Sequence, residues 1–233
     1  MNRERRIGGL PRLAFAASLA ALAGCFGNVE TPFPPGLEPW EENVAAFPFE
    51  DGDPYPETIE YAVADRWEDP ETGLRATNLH ARGYVLEDTA TVFEAARDPR
   101  AGLDRRRNVD SEIILDVEPE YRWSHLSILD IDDIIDVTVE LTWRHGIVEG
   151  TDQEPLVTAT RWQKTAGTTA VTLLEASLVC RAVPGAPGVT AVEYQYHLRA
   201  ADRSGPRAIE RIIQVYYDSI VALAHDEPLP DQN

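Results

Sequence analysis

PRAIERIIQVYYDSIVALA, residues Pro206–Ala224, sets Ile209, Ile212, Ile213, Tyr216, Tyr217, Ile220, Leu223 and Ala224 at i, i+3, i+4, i+7, i+8, i+11, i+14 and i+15. This spacing makes a wide apolar stripe of helical period. Pro206 suits a first helical turn, and Asp202 and Ser204 stand where an N-cap is wanted. At 1.5 Å per residue such a helix is about 28 Å long. It needs an apolar surface of matching size, and the residues before it supply one.

Arg75 to Leu86 reads as a strand. Asp88 is placed to cap a helix over Thr89–Arg97 (TATVFEAAR), with Val92, Phe93 and Ala96 inward, and Asp98-Pro99 stops it. A second short helix is expected over Arg100–Arg106. Strand-like runs then alternate with turns. Ser111–Glu118 carries Ile113, Leu115 and Val117 on one face, and Tyr121–Leu129 follows. Ile134–Val148 alternates most clearly: Ile135, Val137, Val139, Leu141 and Trp143 against Asp136, Thr138, Glu140, Thr142 and Arg144. One dry face and one wet face is the pattern of an antiparallel sheet. Leu156–Lys164 comes next. Thr169–Arg181 has Leu174, Ala176, Leu178 and Cys180 in phase, and Val189–Arg199 has Val192, Tyr194, Tyr196 and Leu198.

A strand, two short helices, a run of six strands and one long helix, with the segment Ala90–Pro99 (ATVFEAARDP), resembles the helix-grip fold of the START and Bet v 1 superfamily, also called SRPBCC or polyketide cyclase-like. The resemblance covers residues 75–224. It implies an α+β fold: a curved antiparallel sheet of about six to seven strands wrapped around the long C-terminal helix, with two short helices after the first strand. It also implies a pocket between sheet and helix for an apolar ligand such as a lipid, a sterol or an aromatic polyketide. A lipocalin-like barrel is disfavoured by the helices after the first strand, and a cystatin-like fold by too many strands.

The chain opens MNRERRIGGLPRLAFAASLAALAGC. Arg3, Arg5, Arg6 and Arg12 precede an apolar run, Leu13–Ala23, that is short for a bilayer span. The run ends Leu22-Ala23-Gly24-Cys25, which resembles the lipobox of bacterial lipoproteins. The resemblance implies cleavage before Cys25 and lipidation of its thiol, so residues 1–24 are expected to be a signal peptide. Phe26, rather than an acidic residue, follows the cysteine. In a two-membrane bacterium that favours the outer membrane, facing the periplasm. The formal net charge is −19. Removing residues 1–24 takes away four Arg and one Glu, leaving 17 basic and 39 acidic residues. Nucleic acid is a poor partner for such a surface.

Residues 25–74 read as a Pro-rich acidic tether or extension. Between Phe26 and Leu74 there are eight prolines, and acidic residues outnumber basic ones thirteen to one, which argues against long helices and central strands. Phe33, Trp40, Phe47, Phe49, Tyr55, Tyr61 and Trp67 are too many aromatics for a solvated linker. The stretch Ala46–Trp67 is therefore expected to pack against the domain at 75–225, with 226–233 a short tail.

No nucleophile elbow, zinc-binding helix, P-loop or dinucleotide fingerprint occurs in the sequence. No catalytic residues, metal or cofactor are assigned, and the reading leans away from an enzyme. None of the five histidines forms an i, i+2 or i, i+4 pair. His145 shares the phase of Trp143 and is a candidate to face the pocket, with a hydrogen-bonded or edge histidine as the other reading, whereas His197 shares the phase of Glu193 and Gln195 and is expected in solvent. Asp130, Asp132, Asp133 and Asp136 read as a solvated acidic turn rather than a calcium loop. Arg105-Arg106-Arg107 reads as a surface loop paired with acids. Cys180 reads as a buried free thiol. The ligand-binding residues are expected to be Trp143, His145, Tyr194, Tyr196, Tyr216 and Tyr217.

The functional expectation is an envelope lipoprotein, tethered through Cys25, whose cavity binds or transfers an apolar, lipid-like molecule, with an envelope protein as a further partner. The alternatives are a cyclase- or hydrolase-like enzyme in the same cavity, and a scaffold lipoprotein with a filled core.

Overall fold

A computed structural model describes residues 27–68, 75–132, 136–200 and 205–232. Cys25, the expected caps Asp202 and Ser204, Asp133, Ile134 and Ile135 lie outside the described residues.

The elements run β1 (Ile59–Glu68), β2 (Arg75–Val85), α1 (Thr89–Arg97), β3 (Val109–Leu115), β4 (Trp123–Ile131), β5 (Val137–Gly150), β6 (Pro155–Gly167), β7 (Val171–Ala182), β8 (Thr190–Ala200) and α2 (Pro206–Ala224). The strands form one antiparallel sheet in the order β1-β2-β8-β7-β6-β5-β4-β3. The chain crosses from β2 near one edge to β3 at the other through α1. α2 packs on β1, β2 and β8, and α1 packs on α2, β6 and β7. This is the helix-grip arrangement, an α+β fold. Among the described residues no helix is long and apolar enough to cross a membrane.

Local chemistry explains the ends of the helices. Asp88 accepts the Thr91 amide at 2.8 Å, which satisfies one of the open N–H groups at the start of α1. α2 begins at Gly205 with Pro206 in the first turn and no side-chain cap. Its buried stripe is Ile209, Ile213, Tyr216, Tyr217, Ile220 and Ala224, the 3.6-residue period of the sequence. Ile212, in the second turn, is the exception at 43% exposed.

The expected second helix over Arg100–Arg106 does not form. Asp98 holds the Arg100 amide at 2.9 Å and its guanidinium as well, closing a turn after α1. The Arg105 amide donates to Gln232 Oε1 at 2.6 Å instead of a carbonyl one turn back. Gly102 crosses Trp143 so closely that a Cβ would sit 2.8 Å from the indole. The segment is stretched over the core, and the C-terminal tail packs beside it through Gln232 Nε2 and Leu103 O.

The sheet has eight strands because β1 precedes Arg75 and pairs along β2. Its prolines, Pro54 and Pro56, stop short of the paired segment, so nothing removes a ladder donor. β3 also differs from expectation. Leu115 is 63% exposed, and Asp116, at φ +56°, ends the strand before Val117. β3 is the edge farthest from the strands that α2 covers, so its apolar residues have no helix above them.

Candidate functional site

The face of the sheet that meets α2 is built by strict alternation and by register. Trp143 stands opposite Trp162 and His125, His145 opposite Thr160, and Leu141 opposite Lys164. Ala176 links Trp162 to Tyr196, and Leu178 links Thr160 to Tyr194. The structure therefore brings Trp143, His145, Tyr194 and Tyr196 onto one surface, and α2 lays Tyr216 and Tyr217 over it.

All six side chains are 5% exposed or less. Trp143 stacks on Trp162 at 4.6 Å between centroids. Tyr216 meets Trp143, Trp162 and Tyr194 edge-on at 5.8, 5.4 and 5.9 Å. Tyr216 Oη donates to Ala96 O at 2.8 Å, and Tyr217 Oη to Tyr84 O at 2.6 Å. These bonds tie α2 to α1 and β2. Trp162 and His125 complete the layer. Trp162 stands in the expected strand Leu156–Lys164, whose sequence LVTATRWQK mixes apolar and polar residues on both phases and so marks no inner face.

His145 lies between Thr160 Oγ1 at 2.9 Å and His125 Nδ1 at 3.4 Å. Burial, helped by His125 and Arg97, holds its pKa well below the ordinary histidine value. Burial also pulls His125 down to about 4, against the pull of Asp98. Both rings are therefore neutral near pH 7, and among the described residues neither has a carboxylate hydrogen-bonded to it. Cys180 is buried as expected, and burial pushes its thiol up to about 12.

Among the described residues, three buried polar atoms on this face have no hydrogen-bond partner: Trp143 Nε1, Lys164 Nζ and Tyr194 Oη. A native interior leaves few such groups. Two concavities stand apart from the six expected residues, none of which lines either. One, about 150 Å³, lies between Phe93, Arg97, Trp123 and Ile147; the other, about 560 Å³, is a groove along Asn28, Glu30, Thr138, Glu140 and Gly167. Between sheet and α2 the rings fill the space.

The opposite face of the sheet was expected to be wet. Residues 28–50 cross it as a strap. Asn28 bridges to Thr168, and Gln163 Nε2 donates to Pro32 O at 2.7 Å. Arg144 stacks on Phe33 at 3.6 Å, bonds the carbonyls of Phe33 and Pro34, and pairs with Glu118. Arg161 stacks on Trp40 at 3.7 Å. Asn43 Nδ2 donates to the carbonyls of Ala81 and Tyr194, and Phe47 stacks on Tyr84 at 5.0 Å. The aromatics of this acidic stretch are thus largely spent on the sheet's arginines and tyrosines, although Phe49 is 73% exposed.

His197 is consequently buried, not in solvent. Its Nδ1 lies 2.9 Å from Glu175 Oε1 and its Nε2 3.1 Å from Glu41 Oε1. The same Glu41 oxygen takes His80 Nε2 at 2.7 Å, and His80 Nδ1 accepts the Val44 amide at 3.0 Å. Glu41, His80 and His197 have the donor set and spacing of a metal site. The donor chemistry argues against one. A cation on His80 Nε2 would leave its proton on Nδ1, facing the Val44 N–H. The chain of bonds closes without a cation: a doubly bonded His197 imidazolium, the Glu41 carboxylate, and a neutral His80 donating through Nε2.

Arg105 and Arg106 are committed elsewhere. Arg105 reaches Ser219 Oγ and Pro230 O at 3.2 Å each, and Arg106 pairs with Asp104.

No protein-family model matches the chain, and no curated protein does. Among solved structures the chain is similar in path to the lipid transfer and protein localization domain of human StarD13, at 9% identity and TM-score 0.45, over 74% of this chain and 85% of that one. It is similar to human StAR-related lipid transfer protein 5 at 11% identity and TM-score 0.44, over 71% and 86%. It is also similar to the ZhuI aromatase/cyclase from Streptomyces sp. R1128 at 13% identity and TM-score 0.39, over 64% and 91%. At these values nothing about ligand or activity passes from those proteins to this one. The strand order and the packed layer define the class: a helix-grip α+β protein with an aromatic interior and an N-terminal strap.

Proposed function

We propose that this protein is a membrane-tethered helix-grip domain that binds an apolar molecule between the inner face of its sheet and α2. The observation that carries the reading is the set of unpartnered polar atoms there, Trp143 Nε1, Lys164 Nζ and Tyr194 Oη. A buried group left without a partner costs about 1–3 kcal/mol, and more when charged. A ligand that enters between sheet and helix supplies the missing partners and buries its apolar body against the rings, at about 25 cal/mol per Å² before association costs. Trp143, His145, Tyr194, Tyr196, Tyr216 and Tyr217 are the proposed contacts.

The tether is the second half of the proposal. Cleavage before Cys25 and lipidation of its thiol would hold the domain at the cell envelope, on the periplasmic side of an outer membrane. The strap at 28–50 follows the lipidation site directly and would fix the sheet's outer face close to the bilayer.

The close ring packing favours one other reading, a scaffold lipoprotein with a filled core. Native mass spectrometry of the protein purified from its own envelope separates the two. A retained small molecule supports the binding reading. An empty protein that also takes nothing from an envelope extract overturns it and leaves the scaffold. The tether is tested by labelling with radioactive fatty acid. The label enters the native chain and not Cys25→Ser; equal labelling of both, or none, overturns it.

A further inference from the structure

The geometry points to a ligand that carries a single negative charge on an apolar body, a carboxylate being the simplest case, with Lys164 as the residue that receives it. This inference rests on the binding reading above and names the class of its ligand.

Lys164 is on β6 opposite Leu141, two residues beyond Trp162, on the face that meets α2. It is 1% exposed and its Nζ has no partner. It is the only lysine or arginine on the inner face of β4–β8 among the described residues. Burial lowers its pKa, against a smaller upward pull from Glu140. Glu140 is on the alternate phase of β5, where it lines the outer groove.

The three unpartnered groups share one chemical property. An indole N–H only donates, an ammonium only donates, and a phenol donates as readily as it accepts. The complement of this surface is therefore rich in acceptors. A hydrocarbon would leave all three groups bare, and a neutral alcohol would leave the ammonium without a counter-charge. An anionic oxygen group supplies both the acceptor and the counter-charge that Lys164 lacks, through charge-assisted hydrogen bonds. One ammonium, without a second basic side chain on those strands, matches one negative charge. The rings of Trp143, Trp162 and Tyr216 then part to take the apolar body.

The test compares oleate with oleyl alcohol, which share a chain and differ in the charged group. Binding is measured to the full-length chain held in amphipol, with empty amphipol as the blank. Oleate is expected to bind about tenfold or more tightly than the alcohol. Lys164→Met, which keeps an apolar stem, should bind the two alike, and Lys164→Arg should restore the preference. Equal binding of both probes to the native chain overturns the inference and leaves the binding reading standing. A preference that survives in Lys164→Met overturns the role of Lys164. If neither probe binds and the native chain retains nothing from its envelope, both readings fall together. The native comparison decides the matter by itself should Lys164→Met not fold.

Discussion

Glu41 Oε1 lies 3.1 Å from His197 Nε2, joining two residues 156 positions apart in sequence, and the same oxygen takes the Nε2 proton of His80 at 2.7 Å. One carboxylate thus fastens the strap to two strands at once. Burial alone would raise its pKa, but the His80 bond and the His197 charge outweigh that and lower it.

Replacing that carboxylate should loosen the strap. Glu41→Leu leaves His80 Nε2 and one nitrogen of His197 without acceptors. A hydrogen bond to a charged group is worth about 1.5–3 kcal/mol; because Glu41 is partly exposed, a loss of about 1–2 kcal/mol is expected. Urea unfolding should show that loss in free energy, with a lower midpoint at unchanged slope, and residues 28–50 should become open to proteolysis before the sheet unfolds. An unchanged midpoint would show that the carboxylate bears no load.

The same cluster sets a pH window. Burial lowers the His197 pKa, but Glu175 and then Glu41 raise it above 6.5 on balance. Its stabilisation is complete below about pH 6.5, the unfolded value, and is lost as pH rises through the raised folded value. Glu41 and His80 work from the other side. Glu41 is lowered, so its contribution holds above its unfolded value of 4.5 and fades as pH falls through the folded one. His80 is lowered by burial, so its contribution holds above 6.5 and fades as acid forces a proton onto it. His225, raised by Glu57, adds to the alkaline loss. Melting temperature against pH should decline on both flanks, and His197→Gln should flatten the alkaline one. An alkaline flank unchanged in that variant and in His225→Gln would refute the assignment.

Trp40 covers the Arg161 guanidinium at 3.7 Å, where burial lowers the arginine's pKa. A desolvated cation–π contact contributes about 2 kcal/mol. Trp40→Ala should cost about that much in chemical denaturation, and Trp40→Phe appreciably less. Equal losses in the two variants would point to the indole's size and not to the ring face.

Gly102 tests the filled interior. Its missing side chain lets the loop after α1 cross Trp143, with only 2.8 Å between a built Cβ and the indole. Gly102→Ala should destabilise by about 1–3 kcal/mol through overpacking, and should change the near-ultraviolet circular dichroism of the tryptophan layer. A neutral effect on both would mean that the layer has room to give, which a ligand would also use.

Much of the fold was legible in the sequence. α1 falls where its cap puts it and α2 where its helical period puts it, and β5 and β8 appear in the phase that alternation sets. The six residues expected at the interior meet there because period-2 and period-3.6 patterns are local and survive folding unchanged. β1 escaped because its surroundings are rich in proline and acid, so composition hid a short proline-free strand. The Arg100–Arg106 helix failed because a packing demand at Trp143 and a bond to distant Gln232 overrode local propensity. His197 was misplaced because the wet phase of a strand predicts solvent only when nothing covers it.

By itself the sequence determined α1, the strands from β2 to β8 in their order, the inner face of β5, β7 and β8 and the stripe of the helix that grips it, because each follows from side chains a few residues apart. Only the tertiary structure decided that the strap lies across the outer face, that Glu41 joins His80 to His197, and that Lys164 Nζ has no hydrogen-bond partner among the described residues. Those are contacts, or missing contacts, between residues as far as 156 positions apart. They depend on which strand ends beside which, and no local period carries that information.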